Sequence, residues 1–308
     1  MIPSLLLSIT LILTIAGFFS QFGWWFDLAA HFRIQYFILQ LICIILFFFF
    51  KRWKWLTITL LGAIINLTLI APFYLPSVNR QAAYSKSHSE ITILLINLNS
   101  SNNEYGKVRE YIKKINPDIL ALEEINENWL AALKGTLDAF SYQKDLPRGD
   151  NFGIGLYSKI ATESMSIVYF GPVEVPSVLA TYTINHKPLT VLFTHPVPPA
   201  SLKYYHWRNE QLEDIASKRA YLGDNLILVG DLNTTSWSQH FSNFIKTMNL
   251  ADTRRGFGVQ ATWPVMFPIM GIAIDHVLVG KTIRVLDRKV GPNIGSDHYP
   301  VYVKLGIH

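Results

Sequence analysis

Residues 91–99 read ITILLINLN and lie at the start of the C-terminal two thirds of the chain. Its length and its β-branched content predict a strand buried inside a sheet. The stretch ends in two asparagines, Asn97 and Asn99, a residue type that forms turns readily. The sequence therefore predicts a core strand that delivers polar side chains at its C-terminal end.

Similar segments follow along the chain. A helix is predicted at 105–115 from its apolar spacing, and Asn116-Pro117 ends it. A second buried strand is predicted at 119–122. Further strands are predicted near 153–158, 179–184, 189–193, 226–229, 274–279 and 300–305, and further helices at about 203–220 and 238–248. Many strands with few helices predict a two-sheet domain of the α/β or α+β class, with helices covering the outer faces.

Polar residues gather where these predicted strands begin or end. They are Asn97, Asn99, Glu123, Glu124, His195, Asp231, Asn233, Asp275, His276, Asp297 and His298. Each residue alone is explained by ordinary turn or capping chemistry. Acids, amides and imidazoles from at least five strands at one end of a sheet are instead typical of a site built on a rigid scaffold.

The motifs N-L-N, PDILALEE, GIGLYSK, THPVPP, GDLN, IDHVLV and GSDH, in this order, resemble the endonuclease/exonuclease/phosphatase superfamily. The resemblance covers about residues 90–308, and GDLN and GSDH are its most specific parts. It implies a four-layer α/β sandwich, with two packed β-sheets flanked by helices. It also implies phosphoester hydrolysis that depends on a divalent metal, Mg²⁺ or alternatively Mn²⁺.

The resemblance also implies roles for individual residues. The metal ligands are expected to be Glu124, Asn97 and Asp297, and the catalytic residues Asp231, Asn233, His298, His195 and Asp275. Asp231 matches the residue that orients or deprotonates water, and Asn233 positions that water or the phosphate. Asp275 can fix the tautomer of His298 by accepting from the second ring nitrogen. The family commonly has Gln where this chain has Glu123, so Glu123 and His276 are given no role.

The first 75 residues differ in composition from the rest. The runs 2–19, 34–50 and 55–75 contain no charged residue, and each approaches the roughly 20 residues that a helix needs to cross a bilayer. They predict a membrane domain of three transmembrane helices at 1–75, then a linker at 76–89 and a catalytic domain at 90–308. A cleaved signal peptide is the alternative for the first run, although it lacks a positively charged start.

The short loop Lys51-Arg52-Trp53-Lys54 carries three positive charges, which places it in the cytoplasm by the positive-inside rule. Everything after Leu75 then lies outside. We expect a multi-pass protein of a bacterial inner membrane with its catalytic domain in the periplasm. The lone Cys43 has no disulfide partner, so the outer domain must be stable through its core alone.

Charge is distributed unevenly. Residues 1–80 carry five Lys and Arg against one Asp, whereas residues 81–308 carry 22 against 21 acids. A nearly neutral catalytic domain argues against a general polyanion binder, because such binding rests on many phosphate contacts. The expected partners are the bilayer and a phosphodiester or phosphomonoester substrate, either nucleic acid or a lipid head group. No protein partner is predicted.

Several alternatives stay open at this point. An inactive membrane scaffold that keeps the fold is the second hypothesis, and a zinc site of His195, His276 and His298 is a third. The segment FPIMGIAI at 267–274 is either an apolar lip for an acyl chain or a packed loop. Arg208 is either a phosphate contact or a member of a surface salt bridge.

Overall fold

The computed structural model describes residues 2–75 and 89–307. The predicted linker at 76–89 therefore lies outside the described residues, apart from Ser89, which begins the first strand. The N-terminal part is helical. Its helices are α1 (Ile2–Ala16), α2 (Trp24–Ala30), α3 (Arg33–Phe49) and α4 (Trp53–Ile70), with short 3-10 helices at Gly17–Phe22 and Ala71–Phe73.

Two of these segments, Pro3–Phe22 and Trp53–Phe73, are each long and apolar enough to cross a membrane. Helices α2 and α3 meet the same criterion only together, and they are bent by 64° at the break between them. The bundle has two such helices, or three spans if the bent pair is counted as one. On the N-terminal side of this bend, α2 carries Asp27, which contacts the C-terminal domain.

The helices are apolar on their outer surfaces and polar at one point inside. Outward residues such as Leu5, Ile12 and Leu61 are exposed. Inside, Asn66 Nδ2 donates to Thr14 Oγ1 at 2.9 Å and to Gln40 Oε1 at 3.0 Å. Such hydrogen bonds between helices are typical of bundles whose surroundings are apolar.

The C-terminal part contains two six-stranded sheets. The strands are β1 (Ser89–Asn97), β2 (Ile119–Glu123), β3 (Tyr142–Leu146), β4 (Ile154–Ser158), β5 (Ser164–Phe170), β6 (Val175–Ile184), β7 (Lys187–Thr194), β8 (Leu226–Asp231), β9 (Leu250–Asp252), β10 (Asp275–Gly280), β11 (Arg284–Val290) and β12 (Val301–Ile307). The first sheet has the order β11-β12-β1-β2-β4-β3 and the second sheet the order β5-β6-β7-β8-β10-β9.

Four layers follow from where the apolar side chains lie. One core, which includes Ile93 and Val229, fills the space between the two sheets. Helices α5 (Tyr105–Ile115) and α6 (Glu127–Leu137) cover the first sheet. Helices α7 (Leu202–Ser217) and α8 (Gln239–Thr247) cover the second. The predicted four-layer sandwich is confirmed.

The strands that the sequence did not predict are β3, β5, β9 and β11, which form the four sheet edges. An edge strand is only partly buried, so it lacks the continuous apolar run that marks a central strand. Helix α6 was also missed, although Asn126 caps it by accepting from the backbone N–H of Trp129 at 3.0 Å.

The helical bundle rests directly on the sandwich. Asp27 of α2 and Arg208 of α7 form an ion pair at 2.6 Å, and both side chains are fully buried. Removing one partner of a buried pair is costly, because the other charge stays buried without compensation. Further contacts join Trp24 Nε1 to the carbonyl of Pro199 at 2.8 Å and Trp237 Nε1 to the carbonyl of Leu69 at 3.1 Å.

Candidate active site

The polar strand ends predicted from the sequence meet between the two sheets. Asn97 pairs with Glu123 in the parallel strands β1 and β2, and Asp231 faces Asp275 in the antiparallel strands β8 and β10. The two sheets are joined here, because Glu123 Oε1 accepts from the backbone N–H of Asp231 at 2.8 Å. Burial, followed by the neighbouring Asp231 and Asp275, raises the pKa of Glu123 well above its usual range. Glu123 thus links the two sheets.

The backbone at these strand ends has conformations that few residues adopt. Asn99, Glu124 and Asn233 have positive φ angles of 56°, 56° and 50°. Gly230, in the GDLN motif, has φ +147°, and a Cβ there would lie 1.9 Å from the carbonyl oxygen of Thr194. The glycine lets β8 lie against β7 at the point where Asp231 enters the site.

His298 is held between two carboxyl groups. Its Nδ1 lies 2.9 Å from Asp275 Oδ2, and its Nε2 lies 3.8 Å from Asp231 Oδ2. Burial alone would lower the pKa of His298, but the charge and hydrogen bond of Asp275 raise it to about 10. The imidazole is therefore protonated at neutral pH, and its hydrogen bond to Asp275 fixes the orientation of the ring.

Asp231 stands at the centre of the site. Its Oδ1 accepts from the backbone N–H of Asn233 at 2.8 Å, and its Oδ2 lies 3.8 Å from Nε2 of both His195 and His298. Burial and then the charge of Asp275 raise the pKa of Asp231, while His298 opposes the shift. Burial lowers the pKa of His195 to about 4, so this second imidazole is neutral.

The predicted metal ligands lie across from His298. Glu124 accepts from Asn97 Nδ2 at 3.1 Å and from the backbone N–H of Ser100 at 3.2 Å. Asp297 accepts from Asn99 Nδ2 at 2.7 Å and from Trp263 Nε1 at 3.1 Å. Burial raises the pKa of Glu124, and the two donated hydrogen bonds oppose the shift.

This donor set fits a hard divalent cation. Carboxylate and amide oxygens are the ligands that Mg²⁺ and Mn²⁺ prefer. Within residues 2–75 and 89–307, the ion pairs of Asp231 and Asp275 are with histidines, and no Lys or Arg pairs with Glu124 or Asp297. The cleft therefore has an excess of negative charge that a divalent ion would balance.

A second group of possible ligands also lies here. One ligand atom from each of Asp231, Asp275 and His298 falls within 4.8 Å of the others. His298 and Asp275 already form a hydrogen bond with each other, so these three residues are better suited to proton transfer than to binding a metal ion. The three-histidine zinc site is wrong, because His276 points to the opposite face of β10, where its ring packs 4.6 Å from Phe241 and its Nε2 contacts the carbonyl of Thr234.

The site opens into a cavity of about 610 Å³. Glu124, His195, Asp231, Asn233, Asp297 and His298 line it. Part of its wall comes from the N-terminal bundle, through Leu28, His31 and Phe32. None of these three residues was predicted from the sequence. Of the three, only His31 had a signal, because His31 and the nearby Asp27 are polar residues between two apolar runs, and such residues often mark a site.

Both alternatives for Arg208 were wrong. The guanidinium is fully buried, pairs with Asp27 and donates from NH1 to the carbonyl oxygen of Asn233 at 2.8 Å. It thus supports the loop that carries Asn233 and connects this loop to helix α2. The aromatic residues Trp263 and Phe267 have different positions: Trp263 lines the cavity, whereas Phe267 is exposed.

The family model described as Endonuclease/Exonuclease/phosphatase family matches residues 94–298. The chain therefore belongs to this family, whose members are phosphoester hydrolases. The match leaves out helices α1 to α4. A search of curated proteins finds no match to this sequence.

Solved structures show the same fold. A D. rerio TDP2 complexed with a single-strand DNA product has a TM-score of 0.59 and 15% identity, over 70% of this chain and 99% of its own. A Bacteroides thetaiotaomicron family protein has a TM-score of 0.57 and 17% identity, over 72% and 99%. Sphingomyelinase C from Streptomyces griseocarneus has a TM-score of 0.53 and 15% identity, over 71% and 100%. At these identities the likeness shows the fold alone.

The structure predicts that His276 makes the protein less stable in acid. Burial and then the charge of Arg254 lower the pKa of His276 to about 3. As pH falls from about 6.5 towards 3, the unfolded chain binds a proton that the folded chain does not, so stability falls by up to about 1.4 kcal/mol per pH unit. His276→Gln keeps a donor for Thr234 but cannot titrate.

We expect the melting temperature of His276→Gln in detergent to lie below that of the wild type at pH 7, and the gap to narrow by pH 4.5. His206→Gln, at an exposed position on α7, is the control and should follow the wild type throughout. A gap that stays constant or widens in acid would contradict the buried, neutral His276.

Proposed function

We propose that this protein is a membrane-anchored phosphoester hydrolase that depends on a divalent metal, Mg²⁺ or Mn²⁺. One observation carries the proposal: His298, held by Asp275, faces Asp231 in the same cavity as Glu124. Phosphoester hydrolysis requires charge neutralisation, an activated water and stabilisation of the transition state. The cavity brings together a group for each requirement.

Each of these residues has a separate role in the reaction. Asp231, as the carboxylate, accepts a proton from the attacking water as the oxygen–phosphorus bond forms. Asn233 orients this water or the phosphate, and its own position is fixed because Nδ2 donates to the carbonyl of Pro196 at 2.9 Å. The leaving oxygen departs as the bond to phosphorus breaks, and it takes its proton from solvent.

Two imidazoles face the phosphoryl group. His298 donates a charged hydrogen bond to an oxygen that gains negative charge in the transition state. His195 is neutral and donates a weaker one. Glu124, with Asn97 and Asp297, would hold the metal ion, which when bound neutralises phosphoryl charge and polarises the phosphorus–oxygen bonds. Mg²⁺ keeps several of its waters in such sites, which suits a donor set of this size.

Membrane anchoring and orientation are part of this proposal. The contacts between bundle and sandwich involve residues such as Trp24, Asp27 and Leu69, which lie near the helix ends away from the loop at 51–54. If that positively charged loop is cytoplasmic, the catalytic domain lies on the outer face of a bacterial inner membrane. The fold of the bundle and its charge distribution thus favour the same orientation.

Reporter fusions test this orientation. An alkaline phosphatase fused after Leu75 should be active, because this position is expected outside the cytoplasm, and a fluorescent protein that folds only inside should be dark there. Fusions after Lys51 serve as the matched control and should give the opposite pattern. If the phosphatase fused after Leu75 is inactive and the fluorescent protein fused there is bright, the orientation is the reverse of the proposed one.

The roles of Asp231 and His298 predict large losses of turnover. Asp231→Asn and His298→Ala should each lower kcat by about 10² to 10⁴, with little change in KM, because each acts on the transition state. The double variant should lose far less than the two single losses combined, since both groups serve one step. Asp275→Asn should lose less, because it acts through His298.

The measurement is hydrolysis of bis(p-nitrophenyl) phosphate by the full chain with Mg²⁺ or Mn²⁺, together with melting temperatures to show that each variant folds. Thr183→Ala, at an exposed position at the far end of β6, is the control. Near-normal turnover by folded His298→Ala would refute the assignment. A wild type that is inactive with both metals would favour a scaffold that keeps the fold without the activity.

A further inference from the structure

We propose that the substrate is a lipid phosphoester taken directly from the bilayer, and that its acyl portion lies against a surface built by α2, the start of α3 and the segment 266–270. This inference rests on the proposed hydrolysis of phosphoesters at the same site. It adds the substrate class and a binding surface that lies partly outside the family match at 94–298.

The cavity has two kinds of wall. The catalytic groups line part of it, and apolar side chains line another part, including Leu28, Phe32, Ile272, Ile274 and Pro198, with His31, Asp150, Asn151 and Tyr204 also in the lining. Leu28 and Phe32 come from the N-terminal bundle, so a ligand in the cavity contacts the catalytic groups and the bundle together. A phosphate joined to an apolar group matches this division.

The charge of the cavity argues against a nucleic-acid strand. None of the described residues that line it is Lys or Arg. Proteins that bind polynucleotides neutralise several phosphates with such side chains, and much of their affinity comes from these contacts. A substrate with a single phosphate, balanced by one metal ion and His298, requires no such surface.

The segment 266–270 supplies an exposed apolar surface beside the cavity. Met266, Phe267 and Ile269 are 78%, 63% and 76% exposed. Full burial of each of these side chains in an apolar environment would be favourable by about 1.5–3 kcal/mol of free energy. Trp263 and Ile272, which bracket the segment, both line the cavity and pair through their backbones.

This segment is fixed to the bundle. Gln35, in the first turn of α3, donates from Nε2 to the carbonyl oxygens of Ile269 at 3.2 Å and Gly271 at 3.0 Å. Further along α3, Ile38 and Ile42 are exposed in the way expected of lipid-facing residues. The apolar segment therefore lies where α3 would enter the bilayer.

A second part of the cavity lining is also joined to the bundle. Trp24 Nε1 donates to the carbonyl of Pro199, which lines the cavity. The adjacent Trp25 is 72% exposed, and indoles of this kind favour the boundary between lipid and water. Two parts of the cavity lining thus contact the bundle, so a lipid beside the bundle could bring its phosphate to Asp231 while its chains stay in apolar surroundings.

The test uses the full chain reconstituted in vesicles with Mg²⁺ or Mn²⁺. Phosphatidylglycerol and phosphatidic acid supply a lipid diester and a lipid monoester, and bis(p-nitrophenyl) phosphate and a single-stranded oligonucleotide are the soluble substrates. The paired change Phe267→Ser with Ile269→Ser alters exposed side chains. The control Tyr221→Ser removes an aromatic residue that is 89% exposed at the other end of β8.

We expect wild-type protein to hydrolyse at least one of the lipids, and Asp231→Asn to abolish this. The paired variant should lower the ratio of lipid to aryl phosphodiester hydrolysis about tenfold or more, because it removes apolar contact with lipid. Tyr221→Ser should leave that ratio unchanged.

Three results would overturn the inference. Hydrolysis of the oligonucleotide or aryl ester without hydrolysis of either lipid would leave the proposed function intact and refute the lipid substrate. Lipid hydrolysis with an unchanged ratio in the paired variant would refute the binding surface. Inactivity of the wild type towards every substrate would refute the proposed function as well.

Discussion

The crowding of carboxyl groups at one end of the sandwich is the constraint on which the rest of the structure depends. Asp231 and Asp275 face each other across two strands, and Glu123, Glu124 and Asp297 lie around them. Buried acids repel one another and lose hydration, so their charge must be offset. The His298 imidazolium and donated hydrogen bonds offset part of it, and a divalent cation would offset the remainder.

The surrounding fold makes this crowding possible. Gly230 allows β8 to lie close to β7, and Glu123 ties the first sheet to the second at Asp231. The N-terminal helices extend this support, since the buried pair of Asp27 and Arg208 reaches the carbonyl of Asn233. Helix α2 therefore supports the loop that carries Asn233, and the N-terminal bundle is packed against the site.

The central part of the fold could be predicted from the sequence because buried strands such as 91–98 have continuous apolar runs. The edge strands could not, since a partly exposed strand has no such run. Motifs such as GDLN and GSDH identified the polar strand ends, and the structure brings all eight predicted site residues together. Leu28 and Phe32 reach the cavity, and Arg208 reaches Asp27, through contacts between segments that are distant in sequence, and no local pattern predicts these contacts.

Binding of Mn²⁺ to the full chain in detergent, measured by electron paramagnetic resonance, tests the central claim most directly. Glu124→Gln should weaken Mn²⁺ binding about tenfold or more, because it removes a charged ligand facing the cavity. Glu123→Gln should leave binding within about twofold, since Glu123 serves to join the sheets and a Gln side-chain oxygen can still accept from the backbone N–H of Asp231. Equal losses in both variants, or a loss in Glu123→Gln alone, would contradict the account.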